Sequence, residues 1–168
     1  MIGYIANTIQ MKLSIGNKVP DFEVLNQNDE LISSKALKGS KYILFFYPKD
    51  DSPGCTKEAC SVRDHYRNIQ KKGFQVFGIS PDTTKKHGKF IAKYEFQYDL
   101  LSDPDKVMIN AFGCWGPKKF MGKEIVGVYR TTFVVDENGV IINIIDKVKT
   151  KDHGEQVLTA ISEITQTG

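Results

Sequence analysis

Two short apolar runs, Tyr42 to Tyr47 (Tyr-Ile-Leu-Phe-Phe-Tyr) and Phe74 to Ser80 (Phe-Gln-Val-Phe-Gly-Ile-Ser), restrict the fold more than any other feature of the chain. Both are aromatic and β-branched, and both are too short for a fully buried helix, so each reads as a strand covered on both sides. Between them Cys55, Ala59, Val62, Tyr66 and Ile69 recur at helical steps of four and three, while Lys57, Ser61, Asp64 and Asn68 fall on the opposite, solvated face. Lys71-Lys72-Gly73 supplies cations and a glycine where that helix should stop. A strand–helix–strand unit of this kind pairs its strands in parallel through a right-handed crossover.

The flanking sequence extends the sheet. Asp21 to Leu25 and Leu31-Ile32 enclose the polar cluster Asn26-Gln-Asn-Asp29 and read as an N-terminal hairpin, and Ser33 or Ser34 can cap a short helical turn ending at Gly39. Asp82 is positioned to cap a helix to about Tyr94, with Phe90, Ile91 and Tyr94 inward and Lys85, Lys86 and Lys89 in solvent. Leu100-Leu101 marks a short strand, and Asp103-Pro104 is expected to open a helix running to about Phe112. Val128 to Val135 and Val140 to Ile145 alternate around Asp136-Glu-Asn-Gly139, an antiparallel hairpin signal. Val157, Leu158, Ile161 and Ile164 make a closing helix amphipathic. The order β-α-β-α-β-β-α gives an α/β fold: a central mixed sheet with helices on both faces and a hairpin at its start.

At 168 residues, 40% of them hydrophobic, the chain holds one well-buried core and is too short for two typical domains. The domain is expected over residues 12–168, after an extension over 1–11 that precedes or includes the second methionine, Met11, and reads as a natural extension, a leader remnant or an artefact of expression. A net charge of +3 with interleaved signs offers no basic stripe for nucleic acid. No run approaches eighteen apolar residues and the opening residues lack a charged and then apolar signal pattern, so neither membrane insertion nor secretion is expected. Three cysteines, two of them on one helix, do not make a disulfide framework. A reducing compartment is expected, hence the cytoplasm, or an organelle if the N-terminus is processed.

The chemistry concentrates in Tyr47 to Cys60, Y-P-K-D-D-S-P-G-C-T-K-E-A-C. Cys55 falls in the first helical turn, where unpartnered N–H groups and the helix dipole favour thiolate over thiol. Pro48 and Pro53 stiffen the connecting loop, Gly54 leaves room beside the sulfur, and Ser52 can aim a hydroxyl at whatever the sulfur attacks. An inert core cysteine is the competing reading. Cys60 lies five residues on, about 140° around an intact helix and with its Cα roughly 8 to 9 Å away, beyond the roughly 7 Å reach of a disulfide. A Cys55–Cys60 bond therefore requires the helix to unwind. Cys114, in Phe-Gly-Cys-Trp-Gly, reads as a packing residue. Cys55, Cys60 and His65 are each five apart and fan around the helix, and His87 and His153 are scattered, so no metal site is expected. Arg130 opens a strand about 75 residues from Cys55, and spacing alone favours a surface ion pair for it.

P-x-x-x-S-x-x-C, filled by Pro48, Ser52 and Cys55 and followed five residues later by Cys60, resembles the active site of the peroxiredoxins, and within them the bacterioferritin comigratory protein, or peroxiredoxin Q, group. The likeness runs from about Lys12 to Ile164 and includes F-G-C-W-G-P-K-K-F-M-G-K and the Arg130 strand. The resemblance implies a thioredoxin-like fold and a thiol-dependent peroxidase acting on hydrogen peroxide and organic hydroperoxides. It implies that Cys55 is the peroxidatic cysteine and Cys60 the resolving one. Arg130 would hold thiolate and peroxide, Ser52 would donate to the peroxide oxygens, Pro48 would shield the pocket, and Gly54 would lie against the substrate. A sulfenic acid on Cys55 would condense with Cys60, and thioredoxin or a similar dithiol protein would reduce the disulfide. No cofactor is implied, and a monomer is expected over a dimer. Most members carry threonine at Ser52; the hydroxyl survives without the methyl that fixes its rotamer. Two other readings remain. A thiol–disulfide reductase would use C-x-x-C, which this spacing disfavours, and a redox-sensing or chaperone-like binding protein would use the same oxidation as a switch.

Overall fold

The computed structural model describes residues 13–167, so the extension over 1–11 lies outside the described residues. The chain runs through β1 (Glu23–Asn26), β2 (Leu31–Ser33), β3 (Lys41–Phe46), α1 (Pro53–Lys71) and β4 (Phe74–Ser80). It continues through α2 (Thr84–Tyr94), β5 (Asp99–Ser102), the short α3 (Val107–Ala111), β6 (Trp115–Phe120) and β7 (Lys123–Val128). It ends with β8 (Thr131–Val135), β9 (Ile141–Ile145) and, after a single 3-10 turn, α4 (His153–Thr167).

The two apolar runs pair as expected. β3 and β4 are parallel, with Ile43 opposite Val76 and Phe45 opposite Gly78, and they form the centre of a seven-stranded mixed sheet of order β2-β1-β5-β4-β3-β8-β9. Alternation along β3 then sorts the core. Ile43 and Phe45 face α1, α2 and α4 through Ala59, Val62, Phe90 and Val157. Tyr42, Leu44 and Phe46 face α3 and the loop after it through Met108 and Phe112, beside Phe133 of the neighbouring β8. Helices thus cover both faces of a thioredoxin-like sheet. No helix among the described residues is long and apolar enough to cross a membrane.

Four expectations need correction. Thr83, not Asp82, caps α2: its Oγ1 accepts from Lys86 N at 3.2 Å, because the Asp82 carboxylate is taken by Ser80 Oγ and Asp50 N at 2.7 Å each. Asp103-Pro104 forms a turn, and α3 begins only at Val107, after Lys106 at φ 62°. Asp103 still caps, reaching across that turn to accept from Ile109 N at 2.7 Å. Ser61 is buried, not solvated, because α4 lies over that side of α1 and Gly154 N donates to Ser61 Oγ at 2.9 Å. Val128 belongs to a separate two-stranded hairpin, β6–β7, that the sequence reading did not identify. Its tip, Met121-Gly122, has φ of 52° and 80°, the positive values a tight two-residue hairpin turn demands.

Candidate active site

β3 ends at Phe46 and delivers the loop that positions α1. Tyr47 N still donates to Ile79 O at 3.0 Å, continuing the sheet for one residue. Three contacts then pin the loop at Asp50. Tyr47 donates its hydroxyl to Asp50 Oδ1 at 2.6 Å, His87 Nδ1 lies 2.6 Å from Asp50 Oδ2, and Asp50 N donates to Asp82. Because His87 Nε2 faces a carbonyl, Leu101 O, at 3.0 Å, that nitrogen carries a hydrogen. Among the described residues, Asp50, Asp82 and His87 are the metal-ligand types gathered most tightly, and their facing atoms are already hydrogen-bonded to one another or to neighbours. The sequence reading took Asp82 for a helix cap and His87 for an isolated histidine and did not single out Asp50, since nothing local shows that α2 and the loop meet.

Ser52 is the extended N-cap of α1, with Pro53 at its first position. Cys55 therefore sits in the first turn, 1% exposed, facing the free amides and the positive end of the helix dipole. The residue that reaches it is Arg130, 75 positions later and directly before β8. Its Nη1 donates to Cys55 Sγ at 3.3 Å and to Glu58 Oε1 at 2.8 Å. The surface ion pair that spacing favoured for Arg130 is thus replaced by a largely inward contact. Gly54 makes the approach possible: a Cβ there would stand 2.8 Å from Arg130 Nη2.

Glu58 was missed by the sequence reading. It lies three residues after Cys55, on the stripe formed by Cys55, Ala59 and Val62, and a carboxylate inside an apolar stripe was the available signal. It is fully buried. Burial, opposed by Arg130, pushes its carboxyl up to about 7. His153, at the start of α4, faces it with Nε2 3.6 Å from Glu58 Oε2, and burial lowers the imidazole to about 4. Lys118 on β6 is half-buried, donates to Val128 O at 2.7 Å, and is lowered first by burial and then by Arg130.

The remaining candidates are placed as follows. The Ser52 hydroxyl donates to Lys49 O at 2.9 Å and is not directed at Cys55. Pro48 is half-buried at the start of the loop. Cys60 is half-buried on the same unbroken helix, its thiol raised by burial. Cys114 lies in the core on the other face of the sheet, where burial pushes it up to about 12, as suits a packing residue. Among the described residues no cysteine is in a disulfide. A cavity of about 470 Å³ opens beside Arg130, walled by Phe112, Phe133 and Ile144 with Lys118 and Tyr129 at its edge.

A buried cysteine at a helix N-terminus under a guanidinium, on a thioredoxin-like sheet, defines a thiol-based redox enzyme. Residues 15–144 match the AhpC/TSA family. The chain is 38% identical over 156 residues to a Bacillus subtilis peroxiredoxin Bcp, covering 93% of this chain and 99% of that protein. It is 37% identical over 151 residues to peroxiredoxin Bcp of Escherichia coli K12, covering 90% and 97%. Among solved structures it resembles the peroxidoxin BcpB of Mycobacterium tuberculosis, with a TM-score of 0.79, 32% identity and coverage of 90% and 98%. It also resembles a Xanthomonas campestris bacterioferritin comigratory protein studied for alkyl peroxide reduction, with a TM-score of 0.79, 30% identity and coverage of 85% and 91%. The chain belongs to the AhpC/TSA family, in its bacterioferritin comigratory protein and peroxiredoxin Q group, and is a thiol-dependent peroxidase.

Proposed function

We propose that Cys55 is the peroxidatic cysteine, Cys60 the resolving one, and thioredoxin or a similar dithiol protein the reductant. The observation that carries this reading is the Arg130 Nη1 to Cys55 Sγ contact of 3.3 Å. A guanidinium on a sulfur in a first helical turn stabilises thiolate and can also polarise a peroxide oxygen. The thiolate attacks the distal oxygen of a hydroperoxide, the O–O bond breaks, and the leaving hydroxide or alkoxide takes a proton as Cys55 becomes a sulfenic acid. Ser52 turns its hydroxyl from Lys49 O toward the peroxide. Pro48 shields the sulfur, and Gly54 keeps the site open to Arg130 and substrate.

In the intact α1 the two cysteines stand too far apart to bond, and Cys60, raised by burial, stays a thiol. Unwinding of the first turns lets Cys60 attack the sulfenic sulfur, forming the disulfide and releasing water; dithiol exchange then restores both thiols. The cavity beside Arg130, lined by Phe112, Phe133 and Ile144 as well as by charged side chains, supports organic hydroperoxides as substrates in addition to hydrogen peroxide. Three unpaired cysteines suit a reducing compartment such as the cytoplasm. The functional unit in this reading is one domain acting as a monomer. The test is thioredoxin-coupled peroxide consumption: the wild-type chain turns over and Cys55→Ser does not. Turnover retained by Cys55→Ser would overturn the assignment.

A further inference from the structure

Glu58 Oε2 is the buried side-chain nitrogen or oxygen atom that lacks a hydrogen-bond partner among the described residues. Its surroundings are otherwise fully specified. Gln156 Nε2 donates to Lys147 O and its Oε1 accepts from Lys149 N, which fixes the amide, so His153 Nδ1, 2.9 Å from that Oε1, carries a hydrogen. His153 Nε2 lies 2.7 Å from Thr132 Oγ1. When Nε2 is bare it accepts the Thr132 hydroxyl, and its lone-pair edge and Glu58 Oε2 then face one another across 3.6 Å with no hydrogen between them. A single added proton changes the charge at this contact: on Nε2 it makes the ring a cation facing the carboxylate, and on Oε2 it neutralises the carboxyl.

The other oxygen of the same carboxyl competes with the sulfur. Arg130 Nη1 is shared between Glu58 Oε1 at 2.8 Å and Cys55 Sγ at 3.3 Å, the shorter contact going to the carboxyl. An ionised Glu58 therefore draws the guanidinium from Cys55 and repels a thiolate one helical turn away. A neutral Glu58 does neither.

We propose that Glu58 and His153 hold one exchangeable proton between them, and that its presence releases Arg130 to the Cys55 sulfur, making Glu58 a positioning residue that tunes the nucleophile. The proposal rests on Cys55 as the peroxidatic thiol. The charged and titratable groups facing the pair are Cys55 on its own helix, Arg130 before β8, Lys118 on β6 acting through Arg130, and Tyr98 before β5. Burial, which raises the carboxyl and lowers the imidazole, disfavours a lone charge on either partner. Loss or gain of that proton therefore changes how Arg130 divides itself between the carboxyl and the Cys55 sulfur.

The experiment is Cys55 alkylation by iodoacetamide across pH, read on its peptide by mass spectrometry, in wild type and Glu58→Gln. The amide keeps an oxygen for Arg130 and cannot ionise. Wild-type reactivity should rise in two steps, and the variant in one step with its midpoint about one pH unit lower, so about tenfold more reactive at acid pH. Superimposed profiles, or profiles differing by one constant factor, would overturn the proposal in favour of a purely structural Glu58. In parallel, the His153 ring resonances should move through the Cys55 transition in wild type and lose that inflection in Glu58→Gln; a ring insensitive to that transition in wild type would also overturn it. Alkylation reads the sulfur without peroxide, so it stands apart from failure of the peroxidase assignment, which Cys55→Ser turnover reports.

Discussion

Replacing Gly54 by alanine should separate catalysis from folding. The new Cβ would stand 2.8 Å from Arg130 Nη2, closer than side-chain carbons tolerate, and the movable partner is the tip of a flexible side chain. The guanidinium shifts and the backbone stays. What is lost is a hydrogen bond to a charged sulfur, worth about 1.5–3 kcal/mol, which corresponds to a fall of about 10- to 150-fold in kcat/KM for hydrogen peroxide. The helix itself should be as stable or more so, since alanine is favoured over glycine by up to about 1 kcal/mol in a helix. Coupled steady-state turnover and thermal denaturation on the same preparations measure the two effects. Wild-type kcat/KM in Gly54→Ala would mean that the Arg130–Cys55 contact does not assist the reaction.

Three other perturbations act on separate parts. Gly154→Ala would drive a methyl into the Ser61 carbonyl and the His65 ring where α4 crosses α1; a backbone oxygen cannot step aside, so unfolding should show a loss of about 1–3 kcal/mol, whereas unchanged stability would mean the helix contact is loose. Glu58, raised from 4.5 to about 7, binds more protons folded than unfolded, so its contribution declines as pH rises through that window. His153, lowered from 6.5 to about 4, binds fewer, so its contribution grows as pH rises from about 4 to 6.5. The two oppose one another in wild type; Glu58→Gln should leave only the histidine limb and gain up to about 3 kcal/mol over that range in urea unfolding, and a profile as flat as wild type would contradict this. Cys60→Ser should take one oxidising equivalent of peroxide and then stall as the sulfenic acid, and normal cycling with thioredoxin would require another resolving thiol.

Where local pattern decides structure, the sequence was a good guide. The β3–α1–β4 unit follows from two apolar runs and a helical stripe, and Cys55 in the first turn follows from Pro53 and Gly54 around it. Partners distant in the chain were not legible. Glu58 gains its meaning from Arg130, directly before β8, and His153, at the start of α4, and only its presence on an apolar stripe hinted at that. His87 looked isolated because Asp50 meets it across α2 and the loop. Ser61 carries a polar label yet is buried, since α4 covers the third side of α1. The β6–β7 hairpin escaped because Pro117 and two lysines interrupt its alternation, and Asp103 misled because its cap is formed across a turn instead of directly.

In the proposed cycle peroxide oxidises Cys55 and Cys60 then resolves it. One equivalent of hydrogen peroxide added to the fully reduced chain, followed by intact mass and peptide mapping, tests it most directly. The predicted product has lost two hydrogens and links the Cys55 and Cys60 peptides, with Cys114 unmodified. A reduced Cys55 at the end of the reaction, or a disulfide that joins Cys55 to Cys114, would contradict it.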